Sequence, residues 1–394
     1  MKTNNPNIAI VHDWFINNSM GGAEKVTKLI FENVRQKFAE PDIFALVENI
    51  SSSKQSLFPK KKINTSFLQK LPFGITKIQH FLPLIPFAIE QLDLREYELV
   101  ISSSHAAAKG VLTSPDQLHI SYIHTPMRYA WDQMEIYLEQ SSLSRIGMEY
   151  VMRYFLYKLR EWDVTSAKRS DYLIANSNFT NRRIKKYWGL DSKVIHPPVD
   201  VKRFSYKKER DDFYLSVNRL VPNKRVDILI KAFNKLGLPL KIVGKGPEFS
   251  KLKKLAKSNI EFYGQPSNQV VEDLMSQCRG FVYAGIEDFG IAPIEAMASG
   301  SPVIALSKGG ITDSVSCITD TAEKKYPTGL LFKNQTSEDL LEAIIWFEEK
   351  KAWRHFDPEN LNNHAQKFNH EIFKQKFNNF INTKFEKFKK NKQI

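Results

Sequence analysis

Residues 213–236, FYLSVNRLVPNKRVDILIKAFNKL, contain the strand, loop and helix unit from which the fold can be predicted. The apolar run Phe213 to Val217 is typical of a buried strand. From Val226 onward, apolar residues recur with the 3.6-residue period of a helix that packs one face on a sheet. The segment therefore predicts one β-loop-α unit.

The same alternation of strand and helix recurs on both sides of this segment. Later strand candidates are Leu240 to Val243, Ile260 to Tyr263, Phe281 to Ala284, Val303 to Leu306 and Leu330 to Phe332. Earlier candidates are Ile8 to Val11, Ile43 to Val47, Leu99 to Ser102, Ile120 to Ile123 and Tyr172 to Asn176. Two such series predict an α/β protein with two doubly wound, Rossmann-like domains. Because ligands bind beyond the carboxyl ends of such strands, we expect the domains to face a central cleft that holds the site.

The domain boundary is expected near the segment HPPVDVKRFSYKKERDD, residues 196–212. Its paired prolines stiffen the backbone and its tail is charged, which predicts an interdomain linker. We expect a first domain at 1–198 and a second at 199–370. Residues 371–394 carry phenylalanines at helical spacing and seven lysines against two glutamates. They predict an amphipathic helix that packs on a domain or contacts a membrane.

Composition narrows the class of protein. With 394 residues and 42% hydrophobic residues the chain is globular, and two cysteines cannot form a disulfide framework, so we expect a cytoplasmic protein. The first residues lack the pattern of a signal peptide. The apolar neighbourhood 68–94 is interrupted by prolines and charges, which argues against a membrane span. A net charge of +14 fits phosphate-bearing ligands, an anionic membrane or nucleic acid.

The densest group of candidate site residues is GIEDFGIAPIEAMASGSPVIA, residues 285–305. Glu287 is predicted at a strand end and Glu295 early in a helix, with a loop at 288–291 between them. Amides at a helix start bind phosphate or sugar oxygens, and carboxylates bind sugar hydroxyls. The alternative is two solvated acids at a helix end, which the strand-loop-helix context disfavours.

Two cations follow the first strand of the second domain. Arg219 and Lys224 lie in the predicted loop of SVNRLVPNKR, residues 216–225, where they could clamp a diphosphate and stabilise a leaving group. Charge pattern alone would make them ordinary surface residues. Because they lie on a loop at the carboxyl ends of the strands, a role in ligand binding and an ordinary surface position are about equally supported.

The first domain offers a glycine pair and a histidine. Gly21 and Gly22 lie between a strand and an amphipathic helix, where backbone can approach a ligand, although such pairs are more often loops. His124 is expected to project from a strand end and donate a hydrogen bond, although a lone histidine is more often structural. His119 belongs to the other end of the same strand, so the two histidines should not form a metal pair. No D-x-D and no G-x-S-x-G motif occurs, so no metal site and no serine nucleophile is predicted.

Together these segments resemble the family 4 glycosyltransferases of the GT-B fold, over nearly the whole chain. The motifs that carry the resemblance are GGAEK at 21–25, YIHTPMRYAWD at 122–132, ANSNFT at 175–180, VIHPPVD at 194–200, NRLVPNKR at 218–225 and EDFGIAPIEAMASGSPVIA at 287–305. Within the family, the chain is most similar to bacterial GDP-mannose-dependent mannosyltransferases of O-antigen and capsule synthesis.

The resemblance implies a role for each candidate in the second domain. Arg219 and Lys224 would bind the diphosphate of a nucleotide-sugar donor, and Glu295 would hold its ribose. The transferred sugar would be held by Glu287 and by the backbone amides of Phe289, Gly290 and Ile291.

In the first domain, the resemblance implies that His124 hydrogen-bonds the sugar near the reacting centre. It implies that Gly21 and Gly22 admit the diphosphate and the acceptor, and that the terminal helix packs back on this domain. Transfer would retain the anomeric configuration without a metal or other cofactor, and the departing phosphate would take the acceptor proton. The implied partners are a nucleotide sugar, with GDP-mannose favoured, and a polyprenyl-diphosphate-linked glycan.

Several alternatives stay open. UDP-glucose, UDP-galactose or UDP-N-acetylglucosamine could replace GDP-mannose, and hydrolysis or epimerisation of a sugar nucleotide would need no acceptor. The segment Phe67 to Ile89 could dock on anionic lipid at the inner face of the plasma membrane, or pack in the core. A nucleic-acid-binding protein is disfavoured, because basic residues are dispersed through both halves of the chain.

Overall fold

The computed structural model describes residues 6–16, 21–50, 57–58, 61–76, 78–140, 147–207, 209–319 and 326–392. The chain divides into two compact units: unit 1 contains Met1–His196 and Lys374–Ile394, and unit 2 contains Pro197–Phe373. In each unit, helices alternate with the strands of a parallel sheet. The predicted α/β class with two doubly wound, Rossmann-like domains is thereby confirmed.

The sheet of unit 1 is parallel throughout its described strands. These are β1 (Ile8–His12), β2 (Asp42–Ala45), β3 (Ile63–Thr65), β4 (Leu99–Ser104), β5 (Leu118–Ile123), β6 (Tyr172–Ala175) and β7 (Lys193–Val194). Their order is β3-β2-β1-β4-β5-β6-β7. The central strands β1, β4 and β5 are buried along their whole length, as expected for a parallel sheet covered on both faces.

The sheet of unit 2 is also parallel. Its described strands are β8 (Tyr214–Val217), β9 (Leu240–Val243), β10 (Ile260–Gly264), β11 (Gly280–Tyr283), β12 (Val303–Leu306) and β13 (Gly329–Phe332). Their order is β10-β9-β8-β11-β12-β13.

The helices cover these sheets. Unit 1 contains α1 (Gly22–Lys37), α2 (Ile85–Glu90), α3 (Met134–Gln140), α4 (Glu149–Ala167) and α5 (Asn178–Trp188). Unit 2 contains α6 (Val226–Leu236), α7 (Phe249–Leu255), α8 (Asn268–Gln277), α9 (Ile291–Ala298), α10 (Ile311–Ser314), α11 (Ser337–Glu349) and α12 (Pro358–Ala365). The last helix, α13 (His370–Lys392), begins in unit 2 and belongs to unit 1 from Lys374 onward.

The strand order reverses at one point in each sheet. The reversal falls between β1 and β4 in unit 1 and between β8 and β11 in unit 2. At such a point the connections on either side leave in opposite directions, which opens a crevice at the carboxyl ends of the strands. In unit 1 the register pairs His12 with Ser103, so the loops after β1 and β4 are neighbours. Residues that follow these four strands are therefore placed to form binding sites.

Part of the segment predicted to be a linker is packed into unit 2. Val199, Val201 and Phe204 are buried in its core, and the amide of Val199 donates to the carbonyl of Phe368 at 2.8 Å. The linker prediction is wrong for these residues, because apolar side chains between the charges contribute to a core.

Helix α13 uses its apolar face for packing in unit 1. Phe377, Ile381 and Phe385 are buried at four-residue spacing. The ring of Phe377 lies 6.4 Å from that of Tyr122 on β5. An edge-to-face contact of this kind contributes stability in addition to that gained by burying the two rings.

The apolar segment Phe67 to Ile89 lies partly in the core and partly at the surface. Leu68, Ile85 and Ile89 are fully buried, whereas Phe73 and Phe87 are 67% and 57% exposed. Within the part of the chain that the structure describes, no helix has the length and apolar character needed to cross a membrane.

Candidate functional site

In unit 2, the loop after β8 brings Lys224 to the loop after β11. The ammonium group of Lys224 donates to Oε1 of Glu287 at 2.5 Å and to the hydroxyl of Tyr283 at 3.2 Å. Both charged side chains keep 19% of their surface exposed, so solvent and ligands can reach the pair. Two residues predicted from separate motifs thus form one contact.

Arg219 lies two residues beyond the end of β8 with its side chain exposed. Among the residues that the structure describes, its guanidinium forms no hydrogen bond or ion pair. The loop beneath it is fixed, since the amides of Asn218 and Leu220 donate to the carbonyls of Val243 and Lys245, each at 2.9 Å. An unpaired guanidinium on a fixed loop is suited to bidentate contact with a phosphate.

Glu295 lies on α9 with 18% of its side chain exposed. The guanidinium of Arg203 is 3.9 Å from Oε1 of Glu295 and 2.8 Å from Oε1 of Glu272. Because Arg203 lies nearer to Glu272, its contact with Glu295 is the weaker of the two. Neither Arg203 nor Glu272 was predicted from the sequence.

The loop from Phe289 to Ile291 turns the chain into α9. Phe289 buries its ring 5.6 Å from the ring of Phe368, Gly290 has a φ of +95°, and Ile291 is the first residue of the helix. The first amides of a helix have no acceptor within that helix, so they suit phosphate or sugar oxygens. The geometry fits the predicted use of these amides.

Gly310 supports the same loop and was missed from the sequence. Its amide donates to the carbonyl of Glu287 at 2.7 Å. A Cβ atom on Gly310 would lie 2.2 Å from the carbonyl oxygen of Asp288, so only glycine fits. The glycine pair in the loop after β12, Gly309 and Gly310, was the signal that could have revealed this contact.

In unit 1, His124 follows β5 and is 8% exposed. Its Nε2 lies 2.8 Å from the hydroxyl of Ser103. Burial, together with the nearby imidazoles of His12 and His105, holds the pKa of His124 well below its ordinary value. The side chain is therefore a neutral hydrogen-bonding group at physiological pH.

Asp13, directly after β1, was not predicted as a site residue. It is fully buried and accepts four backbone amides, from His105 at 2.6 Å, Ala106 at 3.1 Å, Ala107 at 2.5 Å and Ala108 at 2.7 Å. Burial by itself raises the pKa of Asp13, but the neighbouring histidines and these amides outweigh burial, so the pKa lies below its ordinary value. Asp13 therefore fixes the loop after β4 to the end of β1.

The imidazoles of His12 and His105 complete this group in unit 1. The ring of His105 lies 3.0 Å from Asp13, and the ring centroids of His12 and His105 are 5.4 Å apart. Potential ligand atoms of His12, Asp13 and His105 lie within 4.8 Å of one another. The four amide dipoles that point at Asp13 already use its lone pairs, which disfavours a cation there. Only the strand register brings these residues together, so no local motif reveals them.

The glycine pair begins α1. Gly21 caps the helix and its amide donates to Oε2 of Glu24 at 2.7 Å. Since Glu24 is 4% exposed, this contact is part of the fold, and it occupies the Gly21 amide. Gly22, the first residue of the helix, has no side chain to obstruct a ligand that approaches α1.

The two units offer different chemistry. Unit 2 combines an unpaired guanidinium with an accessible ammonium-carboxylate pair and helix-start amides, which together suit a diphosphate joined to a polyol. Unit 1 supplies the neutral imidazole of His124, which exchanges hydrogen bonds with hydroxyls.

Comparison with protein-family models assigns both halves of the chain. Residues 20–203 match the model described as Glycosyltransferase Family 4, and residues 199–368 match the one described as Glycosyl transferases group 1. The two matches together extend from residue 20 to residue 368.

Two curated relatives carry informative names. The O-antigen chain mannosyltransferase RfbU of Salmonella typhimurium is 26% identical over 208 residues, which cover 49% of this chain and 58% of the relative. The second relative, from Corynebacterium glutamicum, is named a GDP-mannose-dependent monoacylated alpha-(1-6)-phosphatidylinositol monomannoside mannosyltransferase. It is 30% identical over 207 residues, which cover 44% of this chain and 52% of the relative. The chain spans about half the length of the curated relatives it matches.

Among solved structures, Anabaena Alr3699/HepE in complex with UDP and glucose is similar, with a TM-score of 0.66 and 18% identity. The match covers 96% of this chain and 99% of that chain. At this identity the likeness concerns the fold, and it confirms the predicted GT-B class.

Proposed function

The chain belongs to the glycosyltransferases, with a family 4 half followed by a group 1 half, and from this we propose that it transfers a hexose from a nucleotide sugar with retention of anomeric configuration. The observation that carries the proposal is the accessible contact between Lys224 and Glu287 at 2.5 Å, with the unpaired Arg219 on the same loop as Lys224.

Charge stabilisation is the main task of unit 2 in this proposal. Breaking the bond between sugar and diphosphate places negative charge on the leaving group, which Arg219 and Lys224 neutralise. Glu287 and the amides of Phe289, Gly290 and Ile291 hold the hexose. Glu295 holds the ribose.

Unit 1 contributes His124, which hydrogen-bonds the hexose, while Gly21 and Gly22 admit the diphosphate and the acceptor. Because the Gly21 amide already donates to Glu24, we assign Gly21 the role of leaving space and not of binding phosphate. The departing phosphate takes the proton of the acceptor hydroxyl.

For the donor we propose GDP-mannose, because the names of both relatives contain mannosyltransferase and one contains GDP-mannose. For the acceptor we propose a polyprenyl-diphosphate-linked glycan of O-antigen or capsule synthesis, at the inner face of the plasma membrane. RfbU is named for the O-antigen chain, and the second relative for a phosphatidylinositol lipid. A UDP-sugar is the second candidate donor, because the complex of the structural neighbour contains UDP and glucose.

A thermal-shift series tests the donor. GDP and GDP-mannose should raise the Tm, because a ligand that binds only the native state stabilises it. At about 100 Kd the stabilisation is about 2.7 kcal/mol, and each kcal/mol raises the Tm of a domain of this size by about 2 to 4 °C. UDP, ADP and their sugar conjugates are the controls, and a shift with UDP-sugars alone would replace GDP-mannose by the second candidate.

Metal independence is part of the proposal, since cationic side chains carry the electrostatic work. Transfer should continue at an unchanged rate when EDTA is added to enzyme, donor and acceptor. Loss of activity with EDTA that magnesium restores would contradict this.

A further inference from the structure

A buried chain of polar groups connects α1 with His124. The hydroxyl of Thr27 lies 2.9 Å from the carbonyl of Ala23, 2.7 Å from the hydroxyl of Ser103 and 3.1 Å from Nδ1 of His12. The hydroxyl of Ser103 lies 2.8 Å from Nε2 of His124. Nδ1 of His12 lies 2.7 Å from the backbone carbonyl of Ser103. Thr27, Ser103 and His12 are fully buried, so water does not compete for these hydrogen bonds.

The positions of the hydrogens follow from counting donors. The carbonyl of Ala23 can only accept, so the contact at 2.9 Å uses the hydrogen of Thr27. The contact between the two hydroxyls then uses the hydrogen of Ser103, which leaves Ser103 to accept from His124. Any other arrangement leaves two lone pairs facing each other in one of these contacts.

We propose that Thr27 and Ser103 are positioning residues that keep the proton of His124 on Nε2, so that Nδ1 accepts a hydrogen bond from a hydroxyl of the transferred sugar. The proposal rests on the proposed function and deepens it, because it changes His124 from a donor to an acceptor. A sugar without that hydroxyl would leave Nδ1 unpaired.

The neighbouring imidazole supports this assignment. The contact with the carbonyl of Ser103 requires the proton of His12 on Nδ1, which leaves Nε2 as a lone pair. Nε2 of His12 is buried and has no hydrogen-bond partner among the described residues. The ring centroids of His12 and His124 are 6.4 Å apart. The two imidazoles thus hold their single protons on opposite ring nitrogens, each fixed by a contact with Ser103.

Histidine ¹⁵N NMR of the full-length protein without substrate tests the tautomer. We expect Nε2 of His124 to be protonated and Nδ1 to be bare, with the signal identified by its loss in His124→Gln. In Thr27→Val the hydroxyl of Ser103 loses its acceptor and donates to Nε2 of His124, so the proton should move to Nδ1. The proposal is overturned if His124 of the wild-type protein carries its proton on Nδ1. It is also overturned if the tautomer of His124 is the same in Thr27→Val as in wild type.

Two matched variants separate positioning from general damage. Thr27→Ser keeps the hydroxyl and should keep the wild-type tautomer. Ser102→Ala removes a buried serine that lies 2.9 Å from Nε2 of His119, so it breaks a similar contact and should not alter the His124 signal. A shifted His124 signal in Ser102→Ala would mean that the tautomer responds to any packing defect, which contradicts the proposal.

Kinetics connects the tautomer to transfer. Thr27→Val should lower kcat about tenfold or more with little change in the KM of the donor, and Thr27→Ser should retain the rate. A moved proton with an unchanged kcat would overturn the role of His124 in transfer, while the tautomer assignment would stand. NMR therefore reports a failure of the tautomer assignment, and kinetics reports a failure of the proposed role of His124 in transfer.

Discussion

Lys224 has one hydrogen-bond donor more than its two contacts use. An ammonium group carries three donors, and Lys224 directs two of them to Glu287 and Tyr283. The third is available to a phosphate oxygen. A diphosphate can therefore bind to Lys224 while Glu287 stays in place to receive the sugar.

Removal of either cation should weaken donor binding and turnover. In Lys224→Ala and Arg219→Ala we expect kcat/KM to fall about a hundredfold, because a stabilising charge at the leaving group is lost. Steady-state kinetics with the donor varied measures this effect. Titration of the nucleoside diphosphate reports binding separately from turnover.

Lys231→Ala is the matched control for charge. Lys231 lies on α6 of the same unit, 51% exposed, in a 3.7 Å ion pair with Asp227. Its loss should leave kcat/KM within about twofold of wild type, because exposed pairs contribute little. If kcat/KM is the same in wild type and in all three alanine variants, Arg219 and Lys224 do not take part in donor binding or transfer.

Residues of the site differ in how far the sequence reveals them. Lys224 and Glu287 each follow a recognisable strand, so their place at the carboxyl edge could be predicted. Asp13 and His105 are 92 positions apart and meet through the pairing of β1 with β4. Single-sequence patterns contain no information about which strands are neighbours, so this group could only be found in the structure.

At the scale of elements, the loop after β12 should control the loop that carries Glu287. Gly310→Ala would place a Cβ atom 2.2 Å from the carbonyl oxygen of Asp288 and displace that loop. We expect weaker donor binding, with a KM raised about tenfold or more. Donor titration of the purified variant measures the effect.

Gly237→Ala provides the comparison. Gly237 ends α6 with a φ of +71°, and a Cβ atom added there would meet no other atom within 4 Å. Alanine at this position therefore costs about 1 kcal/mol of stability through its backbone conformation, without crowding the site. Its KM should be unchanged. If Gly310→Ala also leaves the KM unchanged, the loop is not sensitive to this contact.

The strands show which elements are predictable. Runs such as Leu240–Val243 and Val303–Leu306 contain two β-branched residues each and are bounded by turn residues, and they form strands with the predicted bounds. β3 at Ile63–Thr65 and β7 at Lys193–Val194 were missed. With three and two residues they are too short to show a period, and pairing at the sheet edge defines them.

At the scale of the whole molecule, the charge of +14 and the exposed rings of Phe73 and Phe87 suggest contact with anionic lipid. The protein should float with phosphatidylglycerol liposomes at low salt and detach as salt screens the attraction. Phe73→Ser with Phe87→Ser should weaken flotation several-fold.

Leu255→Ser removes an apolar side chain that is 40% exposed in unit 2 and should leave flotation unchanged. Binding that survives the loss of both phenylalanines would move the contact to another surface. The face of α4 with Tyr150, 86% exposed, is then the next to test. No flotation at low salt would contradict membrane contact altogether.

The chain passes from unit 1 to unit 2 after His196 and returns after Phe373. During synthesis the ribosome therefore releases all of unit 2 before it releases Phe377, Ile381 and Phe385, which are buried in unit 1. A nascent chain of residues 1–196 carries an apolar surface that its own last helix later covers. Unit 1 is thus begun before unit 2 and completed after it, so it is the unit that depends on protection while translation continues.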